Sequence, residues 1–229
     1  MGGMIPLRDA SREPKRYPVV TTSLIVVNVF VFVLELAGGE PFVKQWSVIP
    51  ADIAAGRHWI TILTAMFMHA GWMHIIGNMV FLWAFGPEIE DAMGPIRYLV
   101  FYLVGGLVAF LAQIAVMSDS TVPSLGASGA IAAVMGAFLI TYPRDRIRTL
   151  LFLGWFVTVT VIPAAVLIGI WFLLQLFSGV GSVAQAQSGG GVAYMAHVGG
   201  FIFGAIIARL FEDPRRIAAQ SVSRSEFDE

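Results

Sequence analysis

Ser128 lies in the run Gly126-Ala127-Ser128-Gly129, where small neighbours flank a hydroxyl and leave room for another backbone to approach its amide. His197 lies in Ala196-His197-Val198-Gly199-Gly200-Phe201-Ile202-Phe203-Gly204, an ionisable ring in an otherwise apolar segment. Such a group is costly in an apolar helix and usually serves a function. A serine hydroxyl is a weak nucleophile at neutral pH, and a histidine within about 2.6 to 3.2 Å supplies the general base that activates it. Ser128, Ala132 and Gly136 recur every four residues. Gly200 and Gly204 repeat that spacing, with His197 three residues before Gly200 on the same helical face. Two faces of small residues let helix backbones meet closely, which would bring His197 to the Ser128 hydroxyl. The competing reading is a tight helix pair without chemistry; it explains the glycines and leaves the histidine opposite a serine unexplained.

Acyl transfer also needs donors aimed at the oxyanion that develops on the attacked carbonyl. His74 and Asn78 stand four apart on one helical face and provide two, and the amide of Ser128 provides a third. Taken singly, His74 or Asn78 also fits a polar contact between membrane helices, worth about 1 kcal/mol.

These residues need helices in an apolar medium to position them, and the composition supplies that setting. Hydrophobic residues make up 57% of the 229-residue chain and charged residues 13%, against roughly 25% charged in soluble proteins. The mean hydropathy is +0.79. The net charge of −1 gives no concentrated basic face for nucleic acid. The absence of cysteine removes disulfides, thiolate nucleophiles and cysteine-held metals. Apolar stretches run over residues 19–37, 60–85, 96–117, 127–142, 149–177 and 191–211, and about 20 residues suffice for one crossing. The first is expected to be a retained helix rather than a cleaved leader. The fourth is short, and Pro123, Gly126 and Gly129 mark an irregular start buried in protein or lining a wet cavity. The fifth exceeds one span and is divided by Pro163, so an interfacial lead-in is expected over 149–158 before the crossing. The segment 178–190 has the uncharged Gly, Ser and Gln composition of a flexible linker and is expected to cap an outward-facing cavity.

With six spans, Arg8, Arg12, Lys15, Arg16, Arg97, Arg144, Arg146, Arg148, Arg209, Arg215, Arg216 and Arg224 fall on one side and only Lys44 and Arg57 on the other. The positive-inside rule makes the first side cytoplasmic, with both termini inside. The expected fold is therefore an all-α membrane protein: a six-helix bundle over 19–211 between cytoplasmic tails at 1–18 and 212–229.

The chain resembles the rhomboid intramembrane serine proteases in His69-Ala70-Gly71-Trp72-Met73-His74, Asn78, Gly126-Ala127-Ser128-Gly129, and Ala196-His197-Val198-Gly199-Gly200 before Gly204. These motifs occur in family order between about residues 59 and 211. The resemblance implies a Ser128–His197 dyad with no acidic third member, in a water-filled cavity that opens outward. His74, Asn78 and the Ser128 amide would hold the oxyanion, and Gly126, Gly129, Gly200 and Gly204 would serve substrate approach and helix packing. It implies neither cofactor nor metal. The expected partners are single-span membrane-protein substrates and the lipid bilayer, and a bacterial plasma membrane is the expected location.

Two positions depart from the family pattern. His58-Trp59-Ile60-Thr61 stands where many members carry a Trp-Arg pair, and Ala132 stands where an aromatic often stacks on the histidine, a place Tyr194 is expected to take. Glu35 is expected to reach towards the interface, and Glu90 to be structural. Three other readings stay open: a zinc site using His58, His69, His74 and His197, which lacks a carboxylate partner or a His-Glu-x-x-His pattern; a small transporter; and a non-proteolytic binder of membrane clients.

Overall fold

The computed structural model describes residues 3–184 and 193–222. In chain order the elements are β1 (Gly3–Asp9), β2 (Arg12–Glu13), α1 (Val19–Trp46), α2 (Pro50–Ala54), α3 (Thr61–Ala65), α4 (Trp72–Met93), α5 (Pro95–Val116), α6 (Ser128–Thr141), β3 (Arg146–Leu153), β4 (Phe156–Pro163), α7 (Ala164–Ala184), α8 (Tyr194–Phe211), α9 (Pro214–Ala219) and β5 (Ser221–Val222). Of the flexible cap expected over 178–190, residues 178–184 are instead the last turns of α7, and 185–190 lie outside the described residues.

Helix α6 is the axis of the molecule. Its residues from Gly129 to Phe138 are all buried, because small side chains on several faces let α4, α5 and α8 close around it. Ala133 faces Gly105 of α5 on one side and Gly204 of α8 on another. Fourteen residues make a helix of only about 21 Å, shorter than a hydrocarbon core of about 30 Å. Helices α1, α5 and α8 are long and apolar enough to cross a membrane. The chain is an integral membrane protein, mostly helical.

Carboxylates tie the bundle together at its ends. Glu90 of α4 accepts the Val20 and Thr21 amides at 2.9 and 2.7 Å and the Thr21 hydroxyl at 2.8 Å. It thereby satisfies the first turn of α1, where unpaired N–H groups favour an anion. Glu35 does not reach towards an interface as expected: it is buried and accepts the His69 amide at 2.8 Å, so it fixes the chain just before α4.

The all-α expectation needs correction. Strands β1, β3 and β4 form an antiparallel sheet in the order β1-β3-β4, and β2 pairs with β5. The run from 146 to 163 is rich in β-branched and aromatic residues, which fit a pleated surface better than a helix. Gly154 has φ 61° in the two-residue loop between Leu153 and Phe156, as a tight hairpin requires. The expected lead-in over 149–158 is therefore a hairpin that continues to Pro163, and helix resumes only at Ala164. The segments either side of the bundle take part: Arg12 pairs with Asp145 and donates to Gln220 at 3.2 Å, and its guanidinium lies 3.9 Å over the Tyr142 ring.

Candidate active site

Ser128 is the first residue of α6, so its amide has no acceptor within the helix. Gly126 just before it has φ 133°, a conformation that L side chains rarely adopt. A Cβ there would also meet His74 Nε2 at 3.1 Å and Ser128 Oγ at 3.4 Å, so glycine is what lets the imidazole and the hydroxyl flank the same point.

His197 enters from α8. Its Nε2 is 2.7 Å from Ser128 Oγ and its Nδ1 is 2.7 Å from Gln175 Oε1 of α7. An amide oxygen only accepts, so Nδ1 carries the proton and Nε2 presents its lone pair to the serine hydroxyl. That tautomer is the one a general base needs. Helices α6 and α8 come this close because Gly129 and Gly200 touch, and Ala133 and Gly204 touch, through backbone atoms. Gly129, Gly200 and Gly204 thus sit in the helix contact, while Gly126 borders the hydroxyl.

His74 and Asn78 project from α4 into the same cavity, a space of about 790 Å³ also lined by Ser128, Trp171, Gln175 and His197. The Ala70 amide donates to His74 Nδ1 at 3.3 Å, which leaves the proton on Nε2, the atom beside Gly126. Asn78 is buried and its Nδ2 has no acceptor among the described residues. Both side chains therefore offer an unused N–H to the cavity.

Gln175 and Trp171 escaped the sequence reading. The Trp171 ring centroid is 5.8 Å from that of His197 at 37°, while Tyr194, expected to take the stacking place, meets it edge-on at 6.3 Å and 87°. With Ala132 on α6 buried and small, the flanking ring comes from α7 instead. The signal was available: Trp171 and Gln175 are four apart, and Gln175 is the one strongly polar side chain between Ala164 and Phe177. Among the described residues no three His, Cys, Asp or Glu side chains converge as metal ligands.

The family profile described as Rhomboid domain matches residues 56–213. The chain belongs to the rhomboid family. Among its relatives, RHOMBOID-like protein 12, mitochondrial, of Arabidopsis thaliana is 29% identical over 197 residues, 77% of this chain and 56% of that one. Rhomboid protein 1, mitochondrial, of Saccharomyces cerevisiae is 28% identical over 215 residues, 88% and 57% of the two chains. Rhomboid protease GluP of Bacillus subtilis is 30% identical over 149 residues, 63% and 29%. The chain thus spans about half the length of the first two and less of the third. Relatives named for mitochondria and chloroplasts stand beside bacterial ones, so the expectation of a bacterial plasma membrane finds no support in them.

Proposed function

We propose that this rhomboid is an intramembrane serine endopeptidase that cleaves transmembrane segments of single-span membrane proteins through an acyl-enzyme on Ser128. The observation that carries the reading is the pair of contacts on either side of the His197 ring, Ser128 Oγ to Nε2 and Nδ1 to Gln175 Oε1, each 2.7 Å, at the wall of a cavity large enough for a peptide. The Ser128 hydroxyl passes its proton to His197 Nε2 as Oγ attacks the scissile carbonyl. His74 Nε2–H, the Asn78 amide and the Ser128 N–H receive the oxyanion. The imidazolium returns the proton to the leaving amine, and water then hydrolyses the ester by the same base. Gln175 holds the imidazole in the working tautomer throughout. Being neutral, it stabilises the imidazolium less than a carboxylate would.

In this reading α1, α4, α5, α6, α7 and α8 of the 19–211 domain are the six crossings, and both termini are cytoplasmic. The charge asymmetry supports it: twelve Lys and Arg fall on the side of the termini and two on the other. The Ser128 end of α6 then opens outward, and water reaches it there. A substrate helix has its backbone groups paired, so it must unwind to offer a carbonyl, and small, helix-destabilising residues near the cut are expected.

The test is cleavage in proteoliposomes of a single-span substrate with a Gly- and Ala-rich outer segment, alongside the same substrate with that segment replaced by leucines. The proposal expects cutting of the first at its outer edge, little cutting of the second, and none of either by Ser128→Ala. Undiminished cleavage by Ser128→Ala removes the assignment.

A further inference from the structure

From Thr149 to Ala208 the chain carries no Asp, Glu, Lys or Arg, yet residues 149–163 of that stretch are not helix but most of the β3–β4 hairpin. In the register of the sheet, Ile5, Leu150 and Val159 lie side by side, and Phe152 lies beside Val157. Cross-strand partners share a face, so these five make one apolar surface. It is not covered: Val157 is 58% exposed and Val159 54%, and at the tip Trp155 is 99% exposed and Phe156, paired with Leu153 on the other face, 77%. An antiparallel sheet with a solvated face normally shows polar residues on it, and an apolar sheet ending in an open edge strand invites aggregation in water.

Strand β4 runs into α7 without a linker, Pro163 preceding Ala164. The base of the sheet is therefore fixed where α7 enters the bilayer. Hydrocarbon depth is excluded, because the outer N–H and C=O groups of β4 would have no partners there. The headgroup region supplies those partners and is where tryptophan concentrates. On the same face and nearer the bundle, Arg8 sits directly opposite Arg148. Like charges so placed repel, and among the described residues neither is paired with a carboxylate. An anion between them removes the repulsion, and a lipid phosphate is the anion that the adjoining leaflet provides.

We propose that the outer half of this sheet is a phospholipid-binding element, with Trp155, Phe156, Val157 and Val159 set among the headgroups and upper acyl chains and the Arg8–Arg148 pair on a lipid phosphate. The proposal rests on α7 and its neighbours crossing the bilayer and is independent of peptide-bond hydrolysis. Its consequence is that the foot of α7, the helix that brings Trp171 and Gln175 to His197, is held by lipid as well as by protein.

The absence of native cysteine allows single-site labelling of the whole protein. Phe156→Cys, Val159→Cys and, as a reference within α1, Val26→Cys each carry an environment-sensitive fluorophore in nanodiscs of phosphatidylcholine, alone or with an equal part of phosphatidylglycerol. The labels at 156 and 159 should emit to the blue of their position in water and lose most of their emission to lipids brominated near the glycerol. The label at 26 should be quenched best by bromines deep in the chains. Arg8→Gln with Arg148→Gln should abolish any extra blue shift given by phosphatidylglycerol. Water-like, unquenched emission at both 156 and 159 while 26 is quenched overturns the proposal alone, as does emission that turns blue only when an extended peptide is added to the β4 edge. Failure of quenching at 26 would instead overturn the spanning reading beneath it.

Discussion

Replacing Gly200 by alanine probes the feature on which the site depends, the contact of α6 with α8. The added Cβ would lie 2.1 Å from the carbonyl oxygen of Gly129, the residue next to Ser128, and 3.3 Å from the Ala109 Cβ. An ordinary carbon–oxygen contact is about 3.3 Å, so the helices must part by about 1.2 Å beyond the 2.1 Å that the backbones allow. The obstacle is main chain inside a helix and cannot rotate away. His197 lies on the same helix three residues earlier, so its 2.7 Å contact with Ser128 Oγ widens towards about 3.9 Å, past the roughly 3.2 Å reach of a general base. A misplacement of about 1 Å costs ~10²-fold in rate, and overpacking costs about 1 to 3 kcal/mol of stability. The assay is the cleavage rate per folded molecule, with folding followed by circular dichroism and Tm. Gly169→Ala is the reference, since a Cβ there meets nothing within 4 Å. The expected result is ~10²-fold loss for Gly200→Ala with helix content kept, and no change for Gly169→Ala. Wild-type rate in folded Gly200→Ala would refute the close-contact argument.

Gln175→Ala should lower kcat by about five- to tenfold, the worth of one neutral hydrogen bond, with KM unchanged; Gln175→Glu keeps the acceptor and should recover the rate with an altered pH profile. Unchanged kcat in Gln175→Ala would deny the tautomer role. Asn78→Ala should lower kcat by roughly 10² to 10³, and a loss of only a fewfold would take Asn78 out of the oxyanion site. Near the N-terminus, burial first and then Asp145 push the Asp9 carboxyl from 3.8 up to about 9. The folded state thus holds a proton that the unfolded chain has released, so this contribution to stability is complete below about pH 4 and is lost as pH rises through about 9. The Tm of the protein should fall with pH across that window more steeply than that of Asp9→Asn; equal slopes would contradict it.

Much of the candidate site was legible because it is marked by short, local signals. A serine among small residues and a histidine in an apolar helix stand out against a background that excludes polar side chains, and four-residue spacing puts small residues on facing surfaces. The structure sets Ser128, His197, His74 and Asn78 around one cavity. Gln175 was missed because one amide in a long apolar run reads as tolerated noise until its four-residue relation to Trp171 is noticed. The hairpin was missed for a different reason: residues 149–177 carry no charge and few polar side chains, and a nearly continuous apolar run shows neither the period of a strand nor that of a helix. Only the density of β-branched residues before Pro163 separates the two halves. Glu35 was misread because the sequence does not show that the backbone of His69 folds back to meet it.

Whether Ser128 is a nucleophile activated by His197 is decided by its reaction with a fluorophosphonate probe. The detergent-solubilised protein, Ser128→Ala and His197→Ala would be labelled in parallel and the modified residue located by mass spectrometry. Labelling of Ser128 in the unaltered chain, abolished in both variants while all three stay folded, is the predicted result. Absence of labelling in the folded protein, or labelling of Ser128 that persists in His197→Ala, would contradict it.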